Sequence, residues 1–264
     1  MSDMPLVSCL TVTQCTWLRF EFLKTSIGDY CRQTHPAREL VIVLDSGPAE
    51  TRQAILDHVA GLGRNDIRIV EGRPGSTLGA LRNQSVAAAR GAVLCQWDDD
   101  DRHHPERIAE QLKALIDGQN DAVCLQEVMQ YFPATRSLYC TNWRATEHGS
   151  FPGSLMFRAS AQVAYPESGD SARLAEDSAV HKAYRQRQAM GALAGAPHLY
   201  VYVSHGANSW HEGHHRMLAD ELGISAGLLR RREAAIREGL SVFDFGPEPV
   251  SVVGPSGPAF ILNP

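Results

Sequence analysis

Residues 96–108, QWDDDDRHHPERI, place four consecutive aspartates, Asp98 to Asp101, between a tryptophan and a basic stretch opened by a proline. Adjacent carboxylates repel one another, so a folded chain keeps them together only in water or around a cation. Mg²⁺ and Mn²⁺ are oxygen-preferring cations that take one or two protein carboxylates and complete their shell with phosphate and water. An aspartate run of this kind can therefore carry a diphosphate through a metal. An isolated Asp-x-Asp pattern reads equally well as a solvated acidic loop, and position in the fold must decide between the two. The chain has no GxGxxG after its first apolar run and no GxxxxGK[ST], so no glycine-rich loop is available to cradle phosphate. Three other groups could do chemistry. Asp45 stands in VIVLDSG. Glu176–Asp177 stand in LAEDSAV, where an acid pair also suits a helix N-terminus. HEGHH, with His211, Glu212 and His215, has the H-E-x-x-H spacing of zinc peptidases.

The elements that must position these residues follow from periodicity. PLVSCLTV (5–12), RELVIVLD (38–45), DIRIVEG (66–72) and AVLCQW (92–97) are short apolar runs that predict strands. The second is almost continuously apolar, as strands covered on both faces are. Helical spacing in 17–31, 49–60 and 78–91 predicts helices between them, and Pro105 suits the first turn of another. YVSHGANSW, which holds His205, follows a predicted strand at 198–203. Strands alternating with helices imply a parallel, doubly wound sheet, whose ligands bind beyond the strands' carboxyl ends. Asp45 ends the second strand and Asp98–Asp101 end the fourth. Parallel strands bring these acids to one rim, which favours a site over a loop.

With 264 residues and 44% hydrophobic composition, the chain can bury one large core or two fused ones. A net charge of −5 gives no electrostatic case for nucleic acid. No apolar run approaches a membrane span, the start lacks a signal-like pattern, and six scattered cysteines read as reduced, buried thiols. These features predict a cytoplasmic protein. LLRRREAAIREGL (228–240) reads as a charged surface helix, with peripheral contact at the inner membrane surface as its alternative. From Gly246 the Pro/Gly-rich GPEPVSVVGPSGPAFILNP predicts a poorly structured or surface-draped end. His103 and His104 read as surface loop residues, and Arg82, without a ligand role, as a solvated residue on an exposed helix face. Trp97 and Trp143 read as packing residues or as part of an acceptor site.

Several stretches in order resemble the family-2, GT-A-type nucleotide-sugar glycosyltransferases. VSCLTVT is similar to that family's opening strand. FLKTSIGDYCRQTHPARELVIVLDSG is similar to its first helix, Q-T-x-P turn and second strand. LGALRNQSVAAARGAVLCQWDDDD resembles the helix leading into its D-x-D motif, GSLMFRAS its acceptor-side strand, and AED the acidic motif before its catalytic helix. The likeness covers roughly residues 5 to 215. It departs at TVTQCTW, where the family commonly has a proline and an aromatic residue, and at Asp99, where the family's residue is variable and often small.

The resemblance implies a Rossmann-like three-layer α/β/α fold with a mostly parallel central sheet and a short C-terminal helical extension. Residues 1–218 would form the GT-A domain, with a nucleotide-binding half at about 1–101 and an acceptor half at about 102–218. Residues 219–264 would form the C-terminal helix and tail. Asp177 would be the general base. Asp45 would bind the base of the nucleotide, and Thr13, Arg82, Asp98, Asp99 and Glu176 would lie on the donor side. Asp100 and His205 would hold Mn²⁺ or Mg²⁺. The donor would be a nucleotide-diphosphate sugar, UDP-sugar favoured and GDP or dTDP as alternatives. Inverting transfer would go to a sugar or glycolipid acceptor in polysaccharide or glycoconjugate synthesis. A nucleotidyltransferase of related fold would be expected to carry a glycine- and basic-rich first loop. A non-catalytic binding protein would be expected to lack the acid at 177. A zinc peptidase would use HEGHH and leave the aspartates without a role.

Overall fold

Apolar strands and helices do alternate through the first half of the chain in a computed structural model, which describes residues 4–262. The outermost residues of both terminal segments, 1–3 and 263–264, lie outside the described residues. The elements begin β1 (Val7–Thr13), α1 (Trp17–Cys31), β2 (Arg38–Leu44), α2 (Ala49–Gly61), β3 (Ile67–Glu71), α3 (Leu78–Ala88) and β4 (Val93–Gln96). Then come β5 (Arg102–His103), α4 (Arg107–Asp117), β6 (Ala122–Leu125), β7 (Glu127–Phe132), β8 (Ser137–Asn142) and β9 (Met156–Arg158). The remainder is α5 (Glu176–Gln186), β10 (Met190–Leu193), β11 (Tyr200–Val203), α6 (Glu212–Leu222), α7 (Ala226–Arg231), α8 (Glu233–Leu240), β12 (Val250–Gly254) and β13 (Gly257–Leu262).

The first sheet has the order β10-β6-β9-β4-β1-β2-β3. β1 pairs parallel with both β2 and β4, β2 pairs parallel with β3, and only β9 runs against its neighbours. Every residue of β2 after Arg38 is buried, as its continuous Leu-Val-Ile-Val-Leu pattern requires of a strand with helices on both faces. Leu23 and Ile27 of α1 pack with Leu40 and Ile42 on one face, while Leu10, Val41 and Leu94 point into a second cluster with Phe157 and Tyr184. The three-layer arrangement follows from this alternation of inward residues. The carboxyl ends of β1, β2 and β4 lie together, and Asp45 N–H donates to Thr13 O at 2.8 Å across that edge.

A second sheet, order β13-β12-β8-β7-β11-β5, mixes parallel and antiparallel pairs. Here the structure corrects one expectation. The Pro/Gly-rich segment from Gly246 is not draped on the surface, because β12 pairs parallel with β8 and folds back antiparallel onto β13. Val250 and Val252 are fully buried, sharing a core with Met129, Leu138, Cys140, Val201 and Leu229. The stretch 228–240 is two helices, α7 and α8, broken at Arg232, and its arginines bind the chain itself: Arg230 donates to Pro258 O and Ala259 O, Arg237 to Ile261 O, and Arg232 pairs with Glu127. Among the described residues no helix is long and apolar enough to cross a membrane.

Candidate active site

The aspartate run leaves β4 at a tightly held point. Trp97 is fully buried, its N–H donates to Leu10 O at 3.0 Å, and its carbonyl accepts from the Thr11 hydroxyl at 2.7 Å. Behind it the His103 ring lies 3.9 Å from the Trp97 ring, centroid to centroid, and Arg107 donates to His103 Nδ1 at 2.6 Å. His103 and His104 are thus buried supports, not the surface residues their polar setting suggested, and burial lowers the pKa of both rings.

Each aspartate has polar partners of its own, with Arg19 shared by Asp99 and Asp100, which is how four adjacent carboxylates coexist. Asp98 Oδ1 accepts from Arg82 at 3.0 Å. Asp99 Oδ2 accepts from the Thr13 hydroxyl at 2.5 Å and Oδ1 from Arg19 at 3.0 Å. Asp100 Oδ2 faces both Arg19, at 2.5 Å, and His205 Nε2, at 3.0 Å. Asp101 is turned inward, accepting from the Tyr200 hydroxyl at 2.5 Å and from Val203 N–H at 2.8 Å, which fastens the run to β11. Burial pushes Asp99 up to about 7 against the pull of Arg19. Burial acts the same way on Asp100, but the His205 ring and Arg19 outweigh it and hold this carboxylate below its ordinary value.

Arg82 is not on an exposed face. It is 8% exposed, and its guanidinium bridges Asp98 and Glu176, the latter at 2.5 Å. Gly79, one turn earlier on α3, permits this: a Cβ there would run into the Pro166 carbonyl oxygen, so the 165–172 segment could not lie against the helix and close over Arg82. Glu176 and Asp177 open α5 after Ala175, a non-glycine residue in left-handed conformation at φ 63° with no side-chain cap. Such a backbone costs roughly 1–3 kcal/mol and persists only where its surroundings impose it. Here it separates the fates of the two acids. Glu176 is buried against Arg82. Asp177 is partly exposed and accepts only its neighbour Ser178 N–H, at 2.7 Å. Burial, then the Glu176 charge, drives Asp177 up to about 7 against Arg82.

Asp98 to Asp101, Arg19, Arg82, Glu176 and Asp177 line one cleft of about 710 Å³. Three predicted residues stand outside its lining. Thr13 is buried and reaches the site through Asp99, His205 reaches it through Asp100, and Asp45 lies at the β2 end beside the β1 rim. Arg19 was not singled out by sequence, since an arginine in a helix's first turn ordinarily reads as solvated. Its place one turn into the helix that follows the first rim strand was the available signal.

Among the described residues no three His, Cys, Asp or Glu side chains converge as a closed metal cage requires. The rim offers a two-ligand edge instead. Asp100 Oδ2 and His205 Nε2 lie 3.0 Å apart, an ordinary hydrogen-bond distance. A carboxylate and an imidazole are donor types that a divalent cation can accept, and Arg19 shares the same Asp100 oxygen. HEGHH fits no metal. His211 is the N-cap of α6, its Nδ1 accepting His214 N–H at 3.1 Å, while Glu212 pairs with Arg216. His215 is buried elsewhere, against Trp210 O. The two rings are thus engaged by different backbone groups, His214 N–H and Trp210 O.

A model of glycosyl transferase family 2 matches residues 11–152, a little over half of the 264 residues. WcaA of Escherichia coli (strain K12), named for glycosyl transfer in colanic acid biosynthesis, is 29% identical over 146 residues, 53% of this chain and 50% of its own. The chain thus spans about half the length of that relative. Among solved structures, TarS 1–349 from S. aureus in complex with UDP-GlcNAc has TM-score 0.59 at 14% identity, covering 91% of this chain and 68% of that one. The mannosyltransferase PcManGT from Pyrobaculum calidifontis, in complex with GDP-Man and Mn²⁺, has TM-score 0.58 at 15% identity, covering 91% and 64%. At these identities the structural likeness establishes the GT-A fold. The family match extends from the first rim strand past the aspartates into the second sheet, and the chain belongs to glycosyl transferase family 2.

Proposed function

We propose that the protein is a metal-dependent inverting glycosyltransferase that moves a sugar from a nucleotide-diphosphate donor to an acceptor hydroxyl. The observation that carries this is Asp177: a carboxylate raised to about 7, free of any cationic hydrogen-bond partner, on the wall of the cleft that holds the aspartates. A general base works best when its pKa lies near the working pH, which leaves it ionised yet basic enough to take a proton. Asp177 accepts the acceptor's hydroxyl proton while that oxygen bonds to the anomeric carbon and the carbon–phosphate-oxygen bond breaks. Attack from one side, with departure from the other, inverts the anomeric configuration.

Donor binding falls to the opposite wall. Arg19 and Arg82 bring fixed positive charge to the rim, and we assign Asp98 to the ribose on the family resemblance. Asp45 at the β2 end is suited to the nucleotide base. Asp100 and His205 would hold Mn²⁺ or Mg²⁺, which when bound supplies neutralisation of the charge on the departing diphosphate. Glu176 acts by holding Arg82, and Thr13 by holding Asp99. UDP-sugars are the favoured donors, since a solved relative holds UDP-GlcNAc, with GDP-sugars next because another holds GDP-Man. The acceptor is a sugar or glycolipid, and the name of the Escherichia coli relative supports a role in polysaccharide synthesis. The test is calorimetric titration of UDP and GDP in Mn²⁺, Mg²⁺ and EDTA, followed by NMR of the transfer product. Metal-dependent nucleotide binding and an inverted anomer are expected. Equal affinity in all three conditions, or a retained anomer, overturns the assignment.

A further inference from the structure

Arg19 holds the two middle aspartates with a single nitrogen. Its Nη1 donates to Asp99 Oδ1 at 3.0 Å and to Asp100 Oδ2 at 2.5 Å. Both contacts are shielded, since the Arg19, Asp99 and Asp100 side chains keep only 19%, 6% and 12% of their surface. One positive atom between two carboxylate oxygens does what a bound cation would do, so Arg19 and a divalent ion are rivals for Asp100. An ion arriving alone must break two charge-assisted bonds and then lie beside the guanidinium that it displaced.

Arg19 is built to change partners. It lies in the first turn of α1, where its backbone N–H donates to the Thr16 hydroxyl at 3.3 Å, so the long side chain can turn while the helix stays in place. Because both bonds use Nη1, the Nε and Nη2 donors of the fork are left for an anion. Arg19 lines the same cleft as Asp98 to Asp101, and a diphosphate presents the paired oxygens that a guanidinium fork matches. Arg82, the other cation of this wall, has no such freedom, because Asp98 and Glu176 hold it from two sides.

From this we infer that Arg19 is an exchangeable counter-ion. It neutralises Asp99 and Asp100 until a nucleoside diphosphate takes its guanidinium, and it thereby makes the diphosphate and the divalent ion bind together instead of singly. The inference rests on the metal and diphosphate roles assigned above, and its test separates the two. Wild-type, Arg19→Gln and Arg19→Lys proteins are titrated with Mn²⁺ alone by electron paramagnetic resonance, and with UDP in saturating Mn²⁺ by calorimetry. Arg19→Gln should bind Mn²⁺ alone about tenfold more tightly than wild type and UDP about tenfold more weakly. Arg19→Lys keeps a cationic nitrogen for the acids but loses the fork, so its Mn²⁺ affinity should stay within about twofold of wild type while UDP affinity falls.

A merely structural arginine would leave both ligands weaker in both variants, and that result overturns the inference. So does a gain in Mn²⁺ affinity that vanishes in about 0.5 M KCl, because a shielded direct contact is screened far less than a diffuse charge effect. Unchanged affinities in Arg19→Gln, with Mn²⁺-dependent UDP binding intact in the wild type, overturn the exchange and leave the transfer assignment standing. A wild type that binds no Mn²⁺ even with UDP present sinks the metal assignment, and the exchange with it.

Discussion

Asp100 and Asp177 are carboxylates on the wall of one cleft, and their surroundings drive them in opposite directions. Both are desolvated, which favours the neutral acid. Asp100 has the His205 ring and the Arg19 guanidinium in direct contact, and these keep it ionised. Asp177 has Glu176 beside it, while the nearest cation, Arg82, is spent on Glu176 and Asp98. Burial alone therefore does not set the chemistry of an acid. The allocation of a few cationic partners, His205 and Arg19 to one acid and Arg82 away from the other, decides which carboxylate stays ionised and which holds its proton more tightly.

The comparison breaks most sharply at Asp177. Asp177→Asn keeps the size of the side chain and removes its ability to take a proton, so kcat should fall by about 10² to 10⁴ with nucleotide affinity nearly unchanged. Single-turnover rates and calorimetry on the same preparation separate the two, and a large loss of affinity would move Asp177 to the donor side. Asp100→Ala attacks the other acid. Mn²⁺-dependent UDP affinity should fall by at least about tenfold, toward the value in EDTA, with the circular dichroism spectrum unaltered.

Two smaller effects sharpen the contrast. In the wild type, kcat should rise with pH through about 7 as Asp177 loses its proton. Glu176→Gln removes the neighbouring negative charge and should carry that limb about one unit toward acid; an unmoved limb would show that another group controls it. The smallest effect is on stability. Asp177 binds its proton more tightly folded than unfolded, so its contribution is fully present below about pH 4 and lost as pH rises to about 7. Asp177→Asn should therefore raise Tm at pH 8 by several degrees, with no gain at pH 4. A stabilisation independent of pH would count against the raised pKa.

Much of the first sheet was legible because its elements are local. α1 runs over Trp17–Cys31 as its apolar spacing predicts, and β2 over Arg38–Leu44, within one residue of expectation. The rim position of the aspartates followed from strand alternation. Their partners did not, since Arg19, Thr13 and His205 lie about 80 to 105 residues from the acids they touch. Periodicity gives such pairs no mark: Thr13 and His205 are named through the family resemblance alone, and Arg19 not at all. Arg82 looked solvated because α3 is weakly patterned and the cover over it comes from residues 165–172. The β12–β13 hairpin was misread from composition. Val250 and Val252, buried on either side of the half-buried Ser251, carry the two-residue period of a strand, and proline and glycine outweighed it.

That hairpin bears on how the protein is made. Strands β1 and β2 pair across about 31 residues, so they can meet soon after synthesis. Ser251 pairs with Ser137, more than a hundred residues upstream. At about 5–20 residues per second, β8 waits roughly 6 to 23 s on the ribosome for the strand that covers its edge. During that interval the apolar side chains of Met129, Leu138 and Cys140 lack Val250 and Val252 as neighbours. The second sheet is thus the half of the molecule with most to gain from a chaperone, and slower unfolding of the finished sheet would not shorten that exposure.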